Sequence, residues 1–199
     1  DDLRLVVMSA TLDGEKLARF LDCPRLTSAG RSFPVTVAHF PARPQETVPF
    51  QLKRCVQQAI AQHTGDVLCF LPGKHELDQC ARVLTDLDAE VLSLHGELSV
   101  DEQARVLRPG DGRRVVLATN VAESSVTLPG VRVVIDSGLA RETRLDGGSG
   151  MSRLETVNIA QSSATQRAGR AGRVAEGWCY RLWPESQRLE PGTRPEIAR

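Results

Sequence analysis

The sequence predicts an α/β fold: a mostly parallel sheet flanked by helices, with a β-hairpin inserted late in the chain. Three observations predict it. Short apolar runs alternate with helical patterns through the middle of the chain, as strands covered on both faces do. The runs close on turn residues such as Pro72-Gly73 and His95-Gly96. Two strand-like segments, 139–145 and 154–159, enclose Asp146-Gly147-Gly148-Ser149-Gly150, which reads as a hairpin with a long glycine-rich tip.

Taken in order, residues 3–8 form an apolar strand that ends in Ser9-Ala10-Thr11. Hydroxyls there lie where open α/β sheets bind ligands, and equally where a helix is capped. A short amphipathic helix over 15–21 carries Leu17, Phe20 and Leu21 on one side, and the pattern breaks from 24 to 33 as a linker. Residues 34–40 alternate like a strand entering a new unit. Helix 51–62 and strand 66–71 follow, then helix 76–87 with Leu77, Cys80, Ala81 and Leu84 at helical spacing. Strand 91–94, helix 101–107, strand 114–118 and strand 131–135 complete the repeat. After the hairpin, a helix starts at Gln161, and a last strand spans 177–183 before an irregular tail.

The chain has 199 residues, 41% of them hydrophobic, enough for one substantial domain plus fragments. Its 25 basic and 25 acidic residues cancel, so any nucleic-acid site must come from local clustering rather than net charge. Aromatics are 4%, which leaves little for a base-stacking platform. The five cysteines are scattered, without zinc-ligand spacing, and read as reduced core residues of a cytoplasmic protein. No apolar run approaches the roughly 20 residues of a membrane span, and the sequence carries no signal peptide. Asp1-Asp2 leads straight into a strand, so the chain is expected to begin inside a larger protein.

One stretch concentrates chemistry: Gln166-Arg167-Ala168-Gly169-Arg170-Ala171-Gly172-Arg173. If it is helical at roughly 100° per residue, Gln166, Arg170 and Arg173 share a face. The glycines fall on a neighbouring face, where a second backbone can approach closely. No acid lies between Gln161 and Arg173, unlike a solvated face that alternates Glu and Lys. Guanidinium forks match phosphate oxygens bidentately and stay charged. A polyphosphate clamp is therefore set against a plain basic helix end. In Ala118-Thr119-Asn120-Val121-Ala122-Glu123-Ser124-Ser125-Val126-Thr127, small hydroxyl residues follow a buried strand directly. They suit phosphate binding, or simply the cap of a short helix.

The octet resembles the last signature motif of superfamily 2 helicases of the DEAH-box type. Motif order and spacing match from Ser9 to Trp183, nearly the whole chain, with the bacterial HrpB-like branch the most similar. Ser9-Ala10-Thr11 resembles the motif that couples ATP and nucleic-acid sites. Phe70-Leu71-Pro72-Gly73 resembles the start of the fourth motif, and also fits a bare strand end with a turn. Asp136-Ser137-Gly138 matches the family's Asp-x-Gly, with a cap or turn role for Asp136 as the alternative. The resemblance implies a RecA-like fold. It places residues 1–29 at the end of the first RecA-like domain, 30–184 in the second, and 185–199 at the start of a following segment.

Carried over by position, Gln166 would orient the attacking water, and Arg170 and Arg173 would bind phosphate, Arg173 as the arginine finger. Asp136 would lie in the nucleotide site. Arg167 would make a structural ion pair. Gly96, Thr119 and Thr127 would contact the backbone of a single-stranded nucleic acid, RNA before DNA. ATP and Mg²⁺ would be held mainly by the first domain, because this chain has neither a phosphate loop nor Asp-Glu-Ala-His. The isolated fragment is therefore expected to be inactive. Two positions depart from the family pattern: Pro129 stands where many relatives have an acid near the ribose, and an aromatic is missing near Leu107. The first RecA-like domain and C-terminal domains of the same chain are the expected partners, and the hairpin tip is expected to project toward the nucleic acid. The rival readings are a non-catalytic RecA-like interaction module and a DNA-acting motor of the same superfamily.

Overall fold

The structure is a computed structural model that describes residues 6–7, 14–26, 33–124, 126–145 and 152–192. The chain divides into two compact units, Asp1–Arg31 and Ser32–Arg199. In the first, α1 spans Gly14–Leu21, with an acid in its first turn and Arg19 in its last, as the helix dipole favours. Phe20 on this helix is 86% exposed. Of the strand expected over 3–8, only Val6 and Val7 are described; they are exposed and belong to no regular element. Ser9 and Thr11 lie outside the described residues.

The second unit runs β1 (Val35–His39), α2 (Val48–Gln62), β2 (Asp66–Phe70), α3 (Lys74–Val83), β3 (Glu90–Leu94), α4 (Val100–Leu107), β4 (Arg114–Ala118), α5 (Val121–Ser124), β5 (Val131–Asp136), β6 (Leu139–Leu145), β7 (Ser152–Asn158), α6 (Gln161–Ala168) and β8 (Gly177–Arg181). Six strands form one sheet in the order β1-β8-β5-β2-β4-β3, and every neighbouring pair is parallel. The carboxyl ends of β2, β3, β4 and β5 therefore open on the same edge. The expected hairpin is present: β6 and β7 pair antiparallel from Leu139↔Asn158 to Leu145↔Ser152. Its tip, 146–151, lies outside the described residues.

Alternation within the strands divides the core in two. Val67, Cys69, Val115, Leu117, Val133 and Ile135 face α2 and α3, whose Leu52, Val56, Leu77 and Cys80 are fully buried. Leu68, Phe70, Val116, Ala118 and Val134 point the other way, toward Val106 of α4, Ala122 of α5 and Ala168 of α6. Both faces being covered, β2 and β4 are buried at every residue, which explains why they are apolar beyond their first residues, Asp66 and Arg114. Cys55, Cys69, Cys80 and Cys179 are buried within these layers, Cys23 is exposed, and all five are free thiols. Burial pushes the thiols of Cys80 and Cys179 up to about 12, and raises those of Cys55 and Cys69 as well.

Two helices stop earlier than their sequence patterns. α3 ends at Val83 rather than 87, where Thr85 and Asp86 begin a turn and Asp86 pairs with Lys53 of α2 at 2.8 Å. Short polar side chains of this kind compete with helical hydrogen bonds. The helix bearing the octet ends at Ala168, so only the first three residues of the octet are helical and the rest form a turn and bend. Arg170 N bonds to Arg167 O and Ala171 N to Ala168 O, both at 3.1 Å, tightening the chain out of the α spacing. Gly172 then docks on the segment entering β1, where its carbonyl accepts from Phe33 N at 2.8 Å.

A Cβ at Gly172 would sit 2.5 Å from the carbonyl oxygen of Phe33, whereas one at Gly169 would meet nothing closer than 3.4 Å. Close backbone approach thus requires glycine at one of the two positions. Gly172→Ala should destabilise the domain by about 1–3 kcal/mol, the usual range for overpacking. Gly169→Ala should remain within about 0.5 kcal/mol of the parent. Denaturant titration of both variants checks the contrast, and equal stabilities would contradict the packing described.

Candidate nucleotide and nucleic-acid site

The candidate site is built on the carboxyl edge of the sheet. Thr119 N donates to Leu94 O at 3.1 Å, tying the end of β4 to that of β3. Thr119 and Asn120 carbonyls then accept from the Ala122 and Glu123 amides, which starts α5. Thr119 is 9% exposed, while Thr127 beyond α5 is exposed. Gly96, at the end of β3, is exposed, and a Cβ there would meet only Val121 at 3.9 Å. Packing does not demand glycine at this position, so the surface around it is open to an approaching backbone. The structure thus places Gly96 and Thr119 at adjacent strand ends, with Thr127 on the loop that follows.

The arginines of the octet have three different surroundings. Arg167 is fully buried; its Nε donates to Glu123 Oε2 and its Nη1 to Asp136 Oδ1, each at 2.9 Å, and Nη1 also reaches Leu139 O at 3.2 Å. Its guanidinium lies over the Phe70 ring, 4.8 Å from the centroid. This is the structural ion pair expected of it. Arg170 is also buried and donates to two backbone carbonyls, Glu123 O and Val126 O. Burial, with Arg173 nearby, lowers its pKa to about 10, which leaves it cationic at neutral pH. Arg173 is exposed, and its Nη1 donates to Thr127 Oγ1 at 2.7 Å.

The expected common face of Gln166, Arg170 and Arg173 is therefore not formed. Helical spacing ends at Ala168; beyond it Arg170 turns inward to the loop carbonyls and Arg173 outward to a hydroxyl. Gln166, still helical and half-buried, lines a cleft of about 210 Å³ with Asn120, Glu123, Glu142, Ser163 and Arg167. Asp136 is fully buried at the end of β5, where Oδ1 accepts from Gly138 N at 2.9 Å as well as from Arg167. The turn it closes needs Gly138, whose φ is +74°. Burial raises the Asp136 carboxyl above its ordinary value, against the pull of Arg167 and of the Gly138 N–H.

Glu123 is the partner that motif reading misses. Its carboxylate holds Arg167 and its carbonyl holds Arg170. The one available signal was its being the single acid between Asp111 and Asp136. No group of three or more His, Cys, Asp or Glu side chains is placed to hold a metal ion among the described residues. The exposed guanidinium of Arg173 and the hydroxyl of Thr127 instead suit anionic oxygens. No helix among the described residues is long and apolar enough to cross a membrane.

Residues 51–175 match the helicase conserved C-terminal domain family, and the chain belongs to that family. Within it, the chain is of the DEAH-box type. It is 41% identical to the ATP-dependent RNA helicase HrpA of Escherichia coli, with all of this chain and 16% of that protein covered. With the probable ATP-dependent RNA helicase DHR2 of Saccharomyces cerevisiae it shares 39% identity over the whole chain and 29% of the relative. The crystal structure of the Escherichia coli DEAH/RHA helicase HrpB superposes with a TM-score of 0.90 at 37% identity, covering 98% of this chain and 26% of the other. That likeness bears out the RecA-like sheet and the resemblance to the HrpB-like branch. The chain spans less than a third of the length of these relatives.

Arg167→Leu should strip two carboxylates of their partner, one of them fully buried, and cost about 3–5 kcal/mol. The loss should depend on pH. Asp136 binds its proton more tightly folded than unfolded, so protonation favours the folded state and that favour fades as pH rises through the raised pKa. Removing Arg167 lifts that pKa further, and the variant should lose more stability at pH 8 than at pH 5. Denaturation curves at the two pH values check the sign.

Proposed function

We propose that this chain is the second RecA-like motor domain of an ATP-dependent RNA helicase, with residues 1–29 closing the first such domain and 185–199 opening a further segment. ATP would lie between the two RecA-like domains, with Mg²⁺ and most phosphate contacts on the first. The observation that carries the reading is Arg173: an exposed guanidinium in the same octet as Gln166 and Arg170 whose partner is a neutral hydroxyl, in a chain of the DEAH-box type. Such a group is available to an anion that bridges from another domain. Arg170, engaged by two carbonyls, is not, and this favours Arg173 as the arginine finger.

In this reading Gln166 orients the attacking water and Arg173 stabilises charge as the phosphoryl group leaves. Arg170 binds the loop after α5 and sets where Arg173 emerges. Asp136 contributes through Arg167, which it orients one residue from Gln166. Gly96, Thr119 and Thr127 grip the phosphodiester backbone, and Ser9 and Thr11 couple the two sites. The names of the relatives, which are RNA helicases, support RNA as the strand. Opening and closing of the interdomain gap would move that grip along the strand.

In the full-length protein, Arg173→Ala should lower turnover by roughly 10³-fold or more while changing nucleotide affinity far less, since a finger acts on the transition state. Arg173→Lys should restore little, because an ammonium lacks the planar fork. Near-normal turnover in the lysine variant would remove Arg173 from this role. Thr119→Ala should weaken single-strand binding by a similar factor for all sequences, because phosphate contacts carry no base information. A change in base preference in fluorescence anisotropy titrations would argue against the backbone grip.

A further inference from the structure

The hairpin of β6 and β7 is a two-stranded sheet of its own, and most of its residues beyond the base are exposed. The base is fixed to the domain: Ile159 N donates to Gly138 O at 2.9 Å, Arg167 holds Leu139 O, and Ala140 packs with Ile159, Ala164 and Trp183. One residue further out, Arg141 reaches across to α3, where its Nη2 meets Glu76 Oε1 at 3.4 Å. The other oxygen of that carboxylate, Oε2, is buried and accepts no hydrogen bond. The charge of Glu76 is therefore offset by Arg141 and by the amino end of α3, in whose first turn it lies.

Gly73 makes this reach possible. It is the N-cap of α3, with a φ of −161° that any residue adopts. A Cβ there would lie 2.8 Å from Arg141 Nε and 3.0 Å from Glu76 Oε2. Ser, Asn or Asp would cap the helix better, yet α3 has no side-chain cap. The missing Cβ serves the arginine rather than the backbone. In the same first turn, Lys74 Nζ donates to Glu97 Oε2 at 2.7 Å, one residue beyond Gly96. Within three residues, α3 thus touches both the hairpin and the loop proposed to grip the strand.

We infer that Arg141 is a positioning residue for the hairpin: through Glu76 it sets the angle at which β6 and β7 leave the carboxyl edge of the sheet, relative to a strand held at Gly96. The inference rests on the helicase function proposed above. A hairpin braced in this way stands firm against a duplex that the motor draws toward it. Without the brace it pivots on residues 138–140 and gives way, so that ATP is spent with fewer base pairs opened. The octet is untouched by the loss of either partner, and turnover does not depend on the brace.

The test uses full-length protein and RNA duplexes with a single-stranded tail, and reads base pairs separated per ATP hydrolysed. Arg141→Ala should lower that ratio about twofold to fivefold, the range that one partly exposed ion pair supports, while ATP turnover stays at the parental level. Glu76→Ala should lower it by the same factor, and the two changes together should do no more than either alone. Gly73→Ala keeps both charges and displaces the Arg141 side chain. It should reproduce the loss in the parent and add nothing to Arg141→Ala. A parental ratio in Arg141→Ala or in Glu76→Ala overturns the inference. So does a double variant in which the two losses multiply, since Arg141 would then act on the strand by itself. A parent that neither hydrolyses ATP nor separates strands would end the functional reading itself, and this inference with it.

Discussion

A guanidinium taken wholly out of water has to find anions, and the burial of Arg167 imposes that condition on three elements at once. Its two carboxylates come from the end of β5 and from α5, while Arg167 itself rides on α6. Desolvation offsets most of what such a buried network contributes to stability, but breaking it leaves charges stranded, so the arrangement is defended strongly once formed. Its geometric effect is large. It fixes the rotation of α6, which sends the neighbouring Gln166 into the cleft. It also orients Glu123 so that the carbonyl of the same residue captures Arg170. The surface chemistry of the octet thus follows from a contact that is itself invisible at the surface.

Three arginines within seven residues share one intrinsic chemistry and end in three roles because their surroundings differ. Arg167 is neutralised by carboxylates, Arg170 is spent on carbonyls, and Arg173 keeps its charge at the surface against a hydroxyl. The gradient from buried to exposed runs along the chain as it leaves α6. A helix continued to Arg173 would have put the last two side by side and given both the same environment. The early stop at Ala168 separates the two buried, anchoring arginines from the one at the surface.

Much of this was legible in the sequence where local periodicity and burial agree. The apolar strands, Leu77, Cys80 and Leu84 on the inner side of the α3 segment, and the hairpin pairing all follow from periods of two and 3.6. Arg167 was legible as a structural residue through the family resemblance. The end of α6 was not, because the residue pattern runs on through Arg173, while the helix gives way at its C-cap Gly169 and the chain turns to dock the Gly172 carbonyl on the Phe33 amide. The same holds for the buried pair Asp66 and Arg114, joined at 2.6 Å across 48 residues of sequence, and for Glu123. Pairings at such separations leave no local period to read.

The distribution of thiols has a practical side. Four cysteines lie in the sheet layers, where burial keeps them protonated and out of reach, and a maleimide or iodoacetamide requires an accessible thiolate. Cys23, in the smaller unit, is exposed. Under native conditions one dye per chain should therefore attach at a known place without mutagenesis. That thiol offers a single attachment point for a reporter on the smaller unit.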